Sequence, residues 1–129
     1  MKVTWTDGYQ FEVESRGHKI VVDQPVPVGE DKGMMPVELL SASLATCVGV
    51  FVVDYLRRNE LKAEGLTIDI TSTGARNPSR VGAFQVQVNV PATLNERQRI
   101  SVERLAKSCT VHHTLEHPPE MQIDIVERG

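Results

Sequence analysis

This chain of 129 residues has only two cysteines, one tryptophan, two tyrosines and three phenylalanines. Two cysteines that stand far apart in the sequence form no C-x-x-C motif. In the cytoplasmic setting that the chain suggests, a permanent structural disulfide is not expected, so any bond between them is transient and chemical. The scarcity of aromatic residues leaves little with which to stack nucleobases. Fourteen Lys and Arg stand against 17 Asp and Glu, for a formal charge of -3, and no basic block is interleaved with aromatics. Nucleic acid is therefore not an expected partner. The N-terminus carries no targeting pattern.

A further absence is the most informative: no residue from Leu39 to Val53 is charged. The stretch 36–59, PVELLSASLATCVGVFVVDYLRRN, opens with Pro36, which suits the first turn of a helix because its missing N–H would have no intrahelical partner. Ser41, Ser43 and Thr46 are small enough to bond back to the preceding turn. Charge returns at Asp54, Arg57 and Arg58, and Gly65 supplies a stop. The uncharged run is shorter than the roughly 18 to 20 residues that cross a bilayer, so no membrane span is expected. A helix apolar nearly all round should be covered by protein on most sides. The stretch reads as a central core helix, and a dimer would make it easier to cover.

Upstream, 2–5, 10–15 and 19–23 read as three short strands with Gly8 and Gly17 at the turns, followed by an irregular, mobile connector containing Pro25, Pro27, Gly29 and Gly33. Downstream, 66–72 and 83–90 hold strict period two, through Leu66, Ile68 and Ile70, then Phe84, Val86, Val88 and Val90. The link between them exposes Arg76 and Arg80. Thr93 with Glu96 makes a T-x-x-E capping box for a helix running to Lys107. Ser108 is placed to cap a short helix over 109–115, which Pro118 and Pro119 end. A last strand is expected over 121–126, where Met121, Ile123 and Ile125 alternate. The order βββ-α-ββ-αα-β is that of one α+β domain spanning 1–129.

The ordinary fate of a free cysteine is that of a small buried hydrophobe, and composition alone favours it for both. If they are chemical, their surroundings divide the roles. Cys109, in the first turn of a capped helix, should have its thiolate stabilised by the helix dipole and free N–H groups. Cys47, mid-helix among Leu44, Val50 and Phe51, should have a raised pKa unless a cation reaches it.

The motif P-x-E-L-L-x-A-x-L-A-x-C over 36–47 and the motif C-x-V-H-x-T-L over 109–115 together resemble the signatures of the osmotically inducible protein C and organic hydroperoxide resistance family. The element order fits along the whole chain. The resemblance implies an intertwined homodimer with the central helices packed together and a thiol site at each end of the subunit interface. It also implies a peroxidase mechanism without a bound cofactor. Cys47 attacks a hydroperoxide and becomes a sulfenic acid, Cys109 condenses with it to a disulfide, and an external dithiol such as a dihydrolipoyl group resets the pair. The apolar residues beside Cys47 favour organic hydroperoxides over hydrogen peroxide.

Two departures place the chain nearer the OsmC-like members than the hydroperoxide-resistance branch. That branch carries a glutamate where this chain has Val37. Glu38, one place on, projects from the opposite side of an ideal helix to Cys47 and suits the helix N-terminus instead. The branch's activating arginine belongs to the first hairpin turn, which here reads Asp7-Gly8-Tyr9, while Arg16 lies in the next turn. Three other readings compete. Cys109 and His112 have C-x-x-H spacing, which Cys47 together with His113 would complete to a zinc site, but no metal is expected. A Cys47 hydrolase activated by His112 or His113 lacks a recognisable orienting group or oxyanion loop. In the third, an OsmC-like dimer has another thiol redox role or binds a small apolar ligand at its interface.

Overall fold

The structure is a computed structural model that describes residues 1–129. Its elements in chain order are β1 (Lys2–Asp7), β2 (Gln10–Ser15), β3 (His18–Val22), α1 (Pro36–Arg58), β4 (Thr67–Ala75), β5 (Arg80–Asn89), α2 (Glu96–Ala106) and α3 (Thr110–Glu116). The α+β class and the order of these eight elements are as the sequence leads one to expect. The chain divides into two compact units, residues 1–45 with 68–87 and residues 46–67 with 88–129.

In the first unit β1, β2 and β3 form an antiparallel meander. The register sets Val3 opposite Val13 and Val13 opposite Ile20, and likewise Trp5 opposite Phe11 and Phe11 opposite Val22, so period two gathers the apolar side chains on one face. Much of that face is open: Trp5 is 61% exposed, and of these six residues only Val22 is buried. The turn between β2 and β3 is made by Arg16 and Gly17, both at positive φ, as a tight hairpin requires. β4 and β5 pair as a second hairpin whose strands run further into the link than period two alone reaches. Arg80 explains the compact turn: its Nη1 donates to the carbonyls of Arg76 and Pro78, each at 2.9 Å.

The connector after β3 is ordered by a buried carboxylate. Asp23 accepts the backbone N–H groups of Gln24 at 2.7 Å, Lys32 at 3.1 Å and Glu30 at 3.2 Å. Burial works to raise its pKa, but these hydrogen bonds and the charge of Lys32 outweigh burial and leave it below the usual carboxylate value. Gly29 and Gly33 are needed for close approach, since a Cβ on either would run into the backbone of Gln24 or of Val21. The irregular connector expected from its prolines and glycines is a loop wrapped around one acid.

Helix α1 continues from the first unit into the second. Its buried residues Leu44, Val48, Val52 and Leu56 follow i, i+4 spacing, with Ala45 three residues before Val48, and make a stripe. By length and composition the helix is apolar enough to cross a membrane, and less than a quarter of its apolar middle is covered within this chain. Val50 is 67% exposed. Ser41 and Ser43 bond back to the carbonyls of Val37 and Leu40, as their size permits.

In the second unit Val48, Val52, Leu56, Val102 and Cys109 are the buried apolar residues. The capping box of α2 belongs to Asn95 and Gln98 rather than to Thr93 and Glu96. Asn95 accepts from the Gln98 N–H at 2.9 Å, and Gln98 accepts from the Asn95 N–H at 3.0 Å. Asparagine caps at least as well as threonine, and glutamine can fill the third helical position as glutamate does. The expected strand over 121–126 does not form. It pairs with neither sheet of this chain, and Met121, Ile123, Ile125 and Val126 are between 78% and 87% exposed.

Candidate functional site

Both cysteines lie in the second unit, and folding brings them together: the Cys47 thiol stands near enough to Cys109 to act on its proton affinity. Both are free, with Cys47 half-buried and Cys109 fully buried. Cys47 sits beside the buried stripe of α1, between Val48 on the covered side and exposed Val50.

Cys109 is itself the N-cap of α3, in extended backbone at φ -71 and ψ 145, and its Sγ accepts the His112 N–H at 3.2 Å. Ser108, the expected cap, instead donates its hydroxyl to the Arg104 carbonyl at 2.9 Å. The expectation that the helix terminus would favour the Cys109 thiolate is overturned. Burial pushes this thiol up from its ordinary value, and the Cys47 thiol adds to the rise. The opposing N–H groups of His112 and Val111 do not offset them. A seven-residue helix also has few aligned peptides with which to hold a charge.

His112 is fastened on three sides. Besides its N–H on Cys109, its Nδ1 lies 2.8 Å from the Lys107 carbonyl oxygen and its Nε2 lies 2.9 Å from Glu116 Oε1. Its ring therefore offers no free nitrogen to a metal or to Cys47, and the C-x-x-H spacing serves a helix cap. No three His, Cys, Asp or Glu side chains converge as a metal cluster. Sequence reasoning missed Glu116, although its position four residues after His112 on a helix carries the signal. Asp23 was also missed, because a lone aspartate before a Pro/Gly-rich loop has no motif. In the first unit, Glu38 receives the Met35 N–H at 3.2 Å and so serves the start of α1. Arg16 stands exposed in the β2–β3 turn.

A pair of adjoining thiols, one half-open and one sealed, can cycle between dithiol and disulfide. Comparison with known proteins places the chain in a family. The sequence model described as OsmC-like protein matches residues 29–124. No curated protein matches the chain. Among solved structures, the chain is similar to a Psychrobacter arcticus protein provisionally described as an osmotic stress induced and detoxification response protein, at 24% identity and TM-score 0.80, covering 88% of this chain and 85% of that one. An OsmC-like protein from Mycoplasma pneumoniae matches at 17% identity and TM-score 0.77, over 91% and 86%. A Legionella pneumophila protein described as organic hydroperoxide resistance protein OsmC, a predicted redox protein, matches at 17% identity and TM-score 0.66, over 88% and 85%. At these identities the likeness establishes the fold.

Proposed function

The chain belongs to the OsmC-like protein family, and on that premise we propose that it is a cysteine-based peroxidase that reduces organic hydroperoxides. In the first step the Cys47 thiolate attacks the outer oxygen of the O–O bond, leaving Cys47 as a sulfenic acid, and the departing alkoxide takes up from solvent the proton that the thiol had released and leaves as the alcohol. In the second, the Cys109 thiol displaces the sulfenic hydroxyl, so that a Cys47–Cys109 disulfide forms and its proton departs with the hydroxyl as water. An external dithiol, with lipoyl groups as the leading candidate, then returns two electrons by exchange. The observation that carries this reading is the pairing of two free thiols from distant parts of the chain. Their unequal exposure supports the division of labour, because an incoming peroxide meets the half-open Cys47 first.

The working unit in this proposal is a cytoplasmic homodimer. The exposed apolar face of the β1–β3 sheet, with Val3, Trp5, Phe11 and Ile20 on one side, supports it, since an apolar patch of this kind is ordinarily covered. Sedimentation at micromolar concentration should give twice the chain mass, and a monomer would contradict the assembly. Steady-state consumption of cumene hydroperoxide with dihydrolipoamide as reductant tests the activity: turnover is expected in the wild type and none in Cys47→Ser.

The complete burial of Cys109 favours a second reading, in which the dimer binds a small apolar ligand and the cysteines are core residues. Ligand binding that survives Cys47→Ser, with no peroxide consumption by the wild type, would select it.

A further inference from the structure

Helices α2 and α3 are separated only by Lys107, Ser108 and Cys109; Ser108 bonds back to α2 through its N–H on the Leu105 carbonyl and its hydroxyl on the Arg104 carbonyl, and one further constraint reaches back across the link from α3. His112 supplies that constraint. Lys107 is the C-cap of α2, where carbonyl groups lack intrahelical donors, and the His112 ring lies against its carbonyl at 2.8 Å. The backbone N–H of the same residue holds Cys109 Sγ at 3.2 Å. One residue thus ties the end of α2 to the thiol across the link, and Glu116 holds the far side of the ring at 2.9 Å.

We infer that His112 is the positioning residue of the thiol pair, and that its bond to the Lys107 carbonyl keeps Cys109 Sγ against Cys47 in the reduced protein. Disulfide geometry tolerates little error, with sulfurs about 2.05 Å apart and a narrow dihedral range. Freedom in the 107–109 link would therefore lower the effective concentration of Cys109 at Cys47. The ring need not touch either sulfur, since its effect is on where Cys109 stands. The inference rests on the Cys47–Cys109 pair as the redox unit of the proposed function, but it does not require that a peroxide be the oxidant.

The test equilibrates the full chain with mixtures of oxidised and reduced dithiothreitol and counts free thiols. Two thiol hydrogens and their electrons pass to the reagent's disulfide as Cys47 and Cys109 join. His112→Ala should lower the equilibrium constant for disulfide formation about tenfold, equivalent to about 30 mV for a two-electron couple. Two conservative variants separate positioning from general damage. Asparagine places an amide N–H near the position of Nδ1, and glutamine places one near Nε2. His112→Asn should therefore recover most of the constant, and His112→Gln, which addresses Glu116 instead, should not. Equal constants in the wild type and His112→Ala would overturn the inference, as would rescue by glutamine rather than asparagine. If the wild type forms the disulfide in dithiothreitol but not with cumene hydroperoxide, the peroxidase reading falls and the positioning role stands. If no disulfide forms in any mixture, both fall.

Discussion

Around Cys47 the chain is a 23-residue helix with one buried stripe and an open flank, and around Cys109 it is the sealed cap of a helix of seven residues. The two thiols are neighbours, close enough for one to act on the other's proton, yet their surroundings are opposite. At Cys47 the main asset is access, since the thiol is half-buried beside exposed Val50. At Cys109 it is fixation, through the His112 N–H and the His112 ring on the Lys107 carbonyl. The contrast teaches that helix position alone does not assign thiol chemistry. Cys109 has the helix terminus, which favours an anion, but complete burial outweighs it and holds the proton on. An accessible attacking thiol and a protonated, immobile resolving thiol fit the two steps better than the reverse order.

The widest separation of the two roles should come from serine variants. Cys47→Ser should abolish the loss of thiol on addition of organic hydroperoxide. Cys109→Ser, whose hydroxyl can still cap α3, should keep the first oxidation and accumulate a Cys47 sulfenic acid that dimedone traps. A sulfenic acid on Cys109 in the Cys47 variant would reverse the assignment. Next in size is the difference in alkylation. Iodoacetamide acting on the native protein should modify Cys47 at least about tenfold faster than Cys109, as peptide mapping would report, because a buried protonated thiol is a poor nucleophile.

A smaller effect lies in the pH dependence of stability. Below the ordinary thiol value of 9.0, folded and unfolded chains both hold the Cys109 proton. As the pH rises past it, the unfolded chain releases the proton while the buried thiol retains it. Stability therefore falls until the pH passes the raised native value. Urea midpoints at pH 8 and pH 10 should differ more in the wild type than in Cys109→Ala, and equal differences would show that this thiol does not contribute. The smallest effect belongs to the helix that leads into Cys109. Asn95→Ala should cost about 1 kcal/mol through the lost cap, whereas Thr93→Ala should cost less.

How far these features were legible in the sequence depended on whether their cause was local. Period two located β2 to the residue, because alternation is a property of the strand itself, and Pro36 with Arg57 and Arg58 bracketed α1. The two cysteine motifs anticipated a pair, and folding does bring Cys47 and Cys109 together. The Cys109 environment was not legible, since burial is set by the rest of the unit and no spacing records it. Nor was the cap of α2, where Thr93 and Asn95 both begin plausible boxes and only the backbone decides between them. Residues 121–126 have the alternation of a strand without its ladder: the pattern specifies a face, and a strand also needs a neighbour. The loop after β3 shows the converse, for its prolines and glycines suggested only an irregular backbone while Asp23 collected three N–H groups from it.

The measurement that tests the central claim most directly is a titration of fully reduced protein with cumene hydroperoxide, with free thiols counted and any disulfide mapped by mass spectrometry. The account predicts that both thiols disappear at one equivalent of peroxide and that the product is an intramolecular Cys47–Cys109 bond. Thiols that persist for minutes in excess peroxide, or a bond that joins other partners, would contradict it.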